Sequence, residues 1–260
     1  MCQGNGNDNK GEKVTAEQLA SGYVTYMLNE KNSGNIRWAW YQTLGLDPYP
    51  TLDYTHERVY LVDGTYSNTS DHAHVYSADG FCTTCENYQM APLENGVYQI
   101  SNAGQLLWFA ALVNDDRTHA VFITRDTSAS AKLTKDITIP DGHSWAPIGN
   151  DQDYSGTFDG AGHTIHGMVV NSSQNQAMGF VGYLGAEGVI KNLALGKDCS
   201  VTGSVGYVGG LCGRNKGSIS NCCNGATVTG ENGSGYVGGI CGYNFKGSRP
   251  DTSTISNCYN

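Results

Sequence analysis

One octapeptide returns 29 residues later with a single Leu-to-Ile change: Gly206-Tyr207-Val208-Gly209-Gly210-Leu211-Cys212-Gly213 and Gly235-Tyr236-Val237-Gly238-Gly239-Ile240-Cys241-Gly242. A version one residue shorter, Gly179-Phe180-Val181-Gly182-Tyr183-Leu184-Gly185, precedes both. A second element follows each copy. Ile190-Lys191-Asn192-Leu193 becomes Ile219-Ser220-Asn221-Cys222 at the same offset, then Ile255-Ser256-Asn257-Cys258 after a seven-residue insertion containing Arg249 and Pro250. Two elements repeated in fixed order at this period call for a stacked repeat architecture. Each element is a short run of alternating small and apolar residues, the pattern of a strand. The glycines lie too close together for helices of ten or more residues. Gly and Asn between the runs supply corners with positive φ. The expected fold is therefore mainly β, a parallel β-helix or β-solenoid whose coils pair at about 4.8 Å. Leu193, Cys222 and Cys258 should form one inward ladder, and Cys212 with Cys241 another, as small buried apolar groups or as disulfides between coils.

The same pattern reaches back before the repeats. Lys132–Ile137, Trp145–Gly149 and Tyr154–Ile165 read as the first coils, with Trp145 and Phe158 placed to cover the open end of the stack. Upstream the composition changes. Residues 1–150 hold 12 of the 35 glycines and 17 acidic against 9 basic residues, whereas residues 151–260 hold 7 acidic and 6 basic. That break divides the chain into a polar linker over 1–13, a small α+β module over 14–130 and the solenoid over 131–260. In the module, Thr15 with Gln18 forms a capping box for a helix over 15–29, weakened at Gly22. Leu106, Phe109, Ala110 and Val113 mark a second helix over 101–114. Residues 38–66 hold strand-like runs, including Arg58–Val62. The net charge of −9 argues against a nucleic-acid partner held by phosphates. No run of 18 apolar residues occurs, so this segment is not expected to insert in a membrane.

The repeat residues, Tyr207-Val208-Gly209-Gly210-Leu211 with Ile219-Ser220-Asn221-Cys222 and their copies, resemble the GLUG-motif repeat proteins, large surface or secreted proteins of bacteria. Trp145–Ile165 matches the lead-in to such arrays. Tyr98–Leu106 with Trp108-Phe109, and Ala16–Gly22 followed by Trp40–Gly45, look like elements that accompany them. The resemblance covers about residues 14–260. It implies an extracellular or cell-surface setting and a piece of a longer chain, and it carries no catalytic residues across. The same repeats accompany some immunoglobulin A1-cleaving metallopeptidases.

The sharpest chemical pattern is His72-Ala73-His74 followed by Cys82-Thr83-Thr84-Cys85, spaced H-x-H-x7-C-x2-C. Two thiolates two residues apart chelate one Zn²⁺, and a His pair returned by a turn at Asp79-Gly80 completes a tetrahedron. Four protein ligands close the site, so this zinc is structural. A local disulfide or free thiols at Cys82 and Cys85 are the competing readings. A redox role is disfavoured, because no βαβ pattern surrounds the pair. His56-Glu57-Arg58-Val59-Tyr60 begins like a zinc-peptidase motif but lacks the second His. Asp159–His166 places a carboxylate near His163 and His166 and reads as a tight turn. The acids of the repeat region (Asp151, Asp153, Asp159, Glu187, Asp198, Glu231, Asp251) do not recur at the 29-residue offset. No P-loop, dinucleotide fingerprint or nucleophile elbow is present.

Together these features predict a non-catalytic scaffold or stalk of a surface protein. Its exposed Tyr, Asn and Ser are available to glycans or proteins of a host or another bacterium. The alternatives are a carbohydrate-active β-helix enzyme, which requires paired carboxylates in a groove, and an accessory region of a metallopeptidase whose catalytic domain lies elsewhere.

Overall fold

The computed structural model describes residues 13–30, 40–52, 56, 58–62, 65–67, 74–83, 85–120, 124–172, 176–231, 233–245 and 253–260. The expected linker therefore lies almost entirely outside the described residues. The chain divides into two compact units, 1–73 and 74–260.

In the first unit the capping box forms as read from the sequence. The Thr15 hydroxyl accepts from the Gln18 amide at 3.1 Å, and the Thr15 amide donates to the Gln18 side chain at 2.9 Å. The expected single helix is two, α1 (Ala16–Ala20) and α2 (Tyr23–Glu30). They part at Gly22, whose φ of 89° lies outside the helical range. Tyr60–Val62 pairs antiparallel with Thr65–Ser67. Buried Thr25 and Gln42 satisfy each other at 2.6 Å.

The second unit is mainly a stack of short parallel strands, a β-solenoid. One full coil runs through Val189–Lys191, Ala194–Leu195, Ser200–Gly203, Gly206–Gly209 and Cys212–Asn215. Each of these pairs in parallel with its counterpart in the next coil. For the two full copies and the second element the register follows the sequence repeat: Ile190 faces Ile219, Ile219 faces Ile255, and Cys212 faces Cys241. The shorter copy sits differently from its sequence alignment: Ala177 pairs with Tyr207 and Val181 with Cys212, so Gly179-Phe180-Val181 is not the counterpart of Gly206-Tyr207-Val208. Inward residues form the core, with Phe158, Ile190, Ile219, Val201 and Val208 fully buried. Each such aliphatic side chain contributes about 1.5–3 kcal/mol. Leu193 and Cys222 are buried and Cys258 is half-buried, as their place in one ladder requires. The cysteines of both ladders are free thiols.

Corners explain the rest of the repeat. Asn192, Asn221 and Asn257 each adopt φ of 51–54°, a conformation Asn tolerates better than other side-chain-bearing residues. Their side chains link coil to coil: Asn257 donates to Asn221 and Asn221 to Asn192, both at 3.2 Å. Asn192 donates to Asp159 at 3.0 Å, which continues the ladder into the coil before it. At another corner a Cβ on Gly209 would meet the Cys212 carbonyl oxygen at 2.2 Å, and one on Gly238 the Cys241 oxygen at 2.2 Å. This close approach is why the Gly-Gly pair recurs.

The end of the stack is closed differently from expectation. Trp145 and Phe158 do not cover it; both lie inside, Trp145 stacked on Phe180 at 5.2 Å and Phe158 edge-on to Phe180 at 4.7 Å. The cover is α3 (Ala103–Asn114), capped by Asn102 and ended by Asp115 in the left-handed region. Residues Ala103 to Val113 of this helix are all buried, so it is covered on every side and not along one stripe. Phe109 meets Phe158 at 6.0 Å and Tyr154 at 6.3 Å. The Asn114 side chain accepts from the amides of Gly149 and Asn150 and donates to the Pro147 carbonyl. Upstream of α3, Val97–Ile100 pairs in parallel with Ser130–Leu133. The sheet that continues into the solenoid thus includes Val97–Ile100, upstream of position 131 where the first coil was expected to start.

Candidate metal centre and outer tyrosine face

The segment from His74 folds back on itself through a turn at Ser77–Gly80. The Gly80 amide donates to the Ser77 carbonyl, and the Ser77 amide donates to the Phe81 carbonyl. Tyr76 then bridges Cys82 antiparallel, and the Thr83 amide donates to Val75. A second reversal follows, with the Glu86 amide donating to the Cys82 carbonyl and Glu86 in the left-handed region. These two reversals bring His74, Cys82 and Cys85 together. Their ligand atoms all lie within 4.8 Å of one another, and no other such group occurs among the described residues. His74 Nδ1 stands 3.4 Å from Cys82 Sγ and 3.4 Å from Cys85 Sγ.

These distances fit a metal. A tetrahedral zinc with Zn–S of about 2.3 Å and Zn–N of about 2.0 Å has S···N edges of about 3.5 Å. Cys82 is buried and Cys85 half-buried. Burial pushes the Cys85 thiol up, opposed by the backbone N–H of Asn87. Tyr76, whose ring stacks on His74 at 5.8 Å, is raised by burial and by the two cysteines beside it. His72, the remaining sequence-predicted ligand, lies outside the described residues.

The bead is seated on α3. The Gly104 amide donates to Asp79 at 2.7 Å and the Gln89 amide to Gly80 at 2.8 Å. A Cβ on Gly80 would strike the Asn102 side chain at 2.1 Å. Gly80, at φ 83°, is thus fixed both by its turn and by its contact with the residue that caps α3.

Beside the bead a cavity of about 560 Å³ collects Glu86, Asp116, Asp141, His119 and His143 around Tyr88. Burial, then Asp116 and Glu86, pushes the Tyr88 hydroxyl up to about 12. The sequence reading did not find this group, because its members are far apart in the chain. The other histidines it weighed have local partners. His56 binds Asp47 at 2.6 Å, His163 binds Asp136 at 3.1 Å and His166 binds Asp198 at 3.1 Å. The Asp159 carboxylate caps the Ala161 amide, and Ala161 and Gly162 both have positive φ, so this segment is a turn.

A further feature escaped the sequence reading, although its signal is there. Parallel register lines up Tyr183, Arg214 and Tyr243, and Tyr207 with Tyr236. Tyr207 stacks on Tyr236 at 5.7 Å and on Tyr243 at 5.2 Å. The Arg214 guanidinium lies 5.2 Å over the Phe245 ring, a contact worth about 0.5–2 kcal/mol. Its Nε is sealed from solvent without an acceptor, a cost of about 1–3 kcal/mol. The Tyr183 hydroxyl is raised by burial, against the pull of Arg214.

No family model and no solved structure matches the chain. It is similar to halomucin of Haloquadratum walsbyi, 32% identical over 135 residues, which is 51% of this chain and 1% of that protein. It is also similar to a Gly-rich membrane protein of Evansella cellulosilytica, 34% identical over 97 residues, 35% of this chain and 11% of that protein. The chain thus spans a small part of either relative.

Proposed function

We propose that this chain is a non-catalytic scaffold segment of a large bacterial surface or secreted protein of the GLUG-motif kind, with a structural zinc bead seated on the cap of its solenoid. The observation that carries the scaffold reading is the continuous parallel register from coil to coil within residues 74–260, which repeats the same side faces in each coil. The similarity to a Gly-rich membrane protein of Evansella supports a surface setting. Among the described residues no helix is long and apolar enough to cross a membrane. The side faces present Tyr, Asn and Ser to partners, so adhesion or ligand binding is the proposed work of the segment. Membrane-impermeant biotinylation of intact producing cells tests the setting. Labelled peptides from 131–260 are expected, and labelling only after lysis overturns it.

The bead's role is structural. His74, Cys82 and Cys85 hold the metal, and the sequence offers His72 as the fourth ligand. Zinc in this position ties the Ser77–Gly80 turn in place against α3.

A second reading, a carbohydrate-active enzyme, draws on the cavity with its three carboxylates. It predicts release of reducing sugar from a polysaccharide panel, abolished by Asp116→Asn or Asp141→Asn. Absence of any such release leaves the scaffold reading alone.

A further inference from the structure

Arg214 is out of keeping with its neighbours. The residues before and after it in the ladder are Tyr183 and Tyr243. A tyrosine there would extend the ring cluster of Tyr207, Tyr236 and Tyr243, whose centroids lie 5.2–5.7 Å apart. The arginine breaks that ladder and leaves its Nε buried without an acceptor. A guanidinium with a purely structural task is normally paired with a carboxylate. Arg117 and Arg125 are so paired, with Asp115 and Asp151. Among the described residues no carboxylate pairs with Arg214. Asp153, close enough to raise the Tyr183 hydroxyl, is held by Lys216 at 2.5 Å. The aromatic contact with Phe245 fixes the guanidinium and leaves its outer N–H groups for an anion from outside.

The surroundings narrow that anion. Tyr236 is 54% exposed. The hydroxyls of Tyr183, Tyr207, Tyr236 and Tyr243 make no hydrogen bond among the described residues, so each is free to donate and accept. The rings repeat at the rise of the coils, close to the length of one sugar unit in a pyranose chain. A polyhydroxylated chain bearing carboxylates matches this row better than an isolated small anion does. With 7 acidic and 6 basic residues over 151–260, the solenoid does not strongly repel such a chain.

We propose that the Tyr183–Arg214–Tyr243 face, with Tyr207 and Tyr236, binds a uronic-acid-containing glycan, Arg214 pairing with a sugar carboxylate and the tyrosines with the sugar hydroxyls and C–H edges. This names the ligand class for the adhesive face of the scaffold reading and rests on it. Binding is tested by calorimetry on the full chain, with oligogalacturonate as probe and the matching neutral oligogalactan as control. Oligogalacturonate is expected to bind and the neutral oligomer to bind about tenfold more weakly or not at all. Arg214→Met, which keeps the packed stem, should weaken oligogalacturonate binding by about tenfold with an unchanged thermal melt, and Arg214→Lys should restore part of it. Tyr236→Ala should weaken it as well. Equal binding by Arg214→Met, equal binding of the neutral oligomer, or no binding of oligogalacturonate overturns the proposal. Absent binding together with positive surface biotinylation removes this site and keeps the scaffold. Binding together with labelling only after lysis does the reverse.

Discussion

Asn221 does two things at one corner. Its backbone takes φ of 54°, and its side chain both donates to Asn192 and accepts from Asn257. Alanine keeps neither property, while glycine keeps the backbone alone. Asn221→Ala should therefore cost about 1–2 kcal/mol for the left-handed backbone, and Asn221→Gly less, as read from urea unfolding midpoints. Equal costs would contradict the corner account. This corner was legible in the sequence because Asn is one of the few residues that mark positive φ. The buried asparagines were not. Asn215 and Asn224 are each buried and use the side-chain oxygen to cap an amide two residues on. A polar residue in a core is recognisable only once its partners are known. The ladder cysteines give a pH prediction. Burial holds the Cys222 thiol up at about 12, against about 8.5 in an unfolded chain. A raised thiol contributes stability that is complete below the unfolded value and is lost as pH rises toward the folded one. Thermal stability should fall between about pH 9 and pH 12, and Cys222→Val should flatten part of that slope. A melting temperature independent of pH in this window would contradict the burial of Cys222.

At the scale of elements, α3 decides where the solenoid begins. A stack of coils exposes unpaired strand edges and an apolar core at its end. Here a helix buried on every side closes it, joined to the coils by Phe109, Phe158 and the Asn114 hydrogen bonds. The helix was legible from its apolar spacing. Its task was not, because an all-apolar helix and an amphipathic one differ by residues such as Leu107 and Leu112 that both patterns admit. The aromatic content of Trp145 and Phe158 announced burial without saying which layer each would occupy. Phe158→Ala should cost about 3–5 kcal/mol, lowering the melting temperature by about 6 °C or more. Val169→Ala, at an exposed site, should change it little. Similar effects for the two would mean that the cap does not carry the end of the stack.

At the scale of the molecule, the 29-residue repeat foretold the solenoid because each coil must repeat the same corners and the same inward row. The sites were less legible. The His and Cys spacing pointed to the grouping of His74, Cys82 and Cys85, since these residues lie close enough in sequence for two short reversals to bring them together. The tyrosine face needed the register between coils, which only the fold supplies. Within residues 74–260 the end of the stack is closed by α3, and the turn that carries Cys82 and Cys85 contacts Asn102, which caps that helix. If zinc holds the bead, its loss should loosen the seal as well as the bead itself. The direct measurement is the metal content of the purified full chain by mass spectrometry, beside the Cys82→Ser, Cys85→Ser variant, with thermal melts of both. The account predicts about one equivalent of zinc in the native chain, none in the variant and a melting temperature lower by at least about 5 °C. Metal absent from the native chain, or retained in full by the variant, would contradict it.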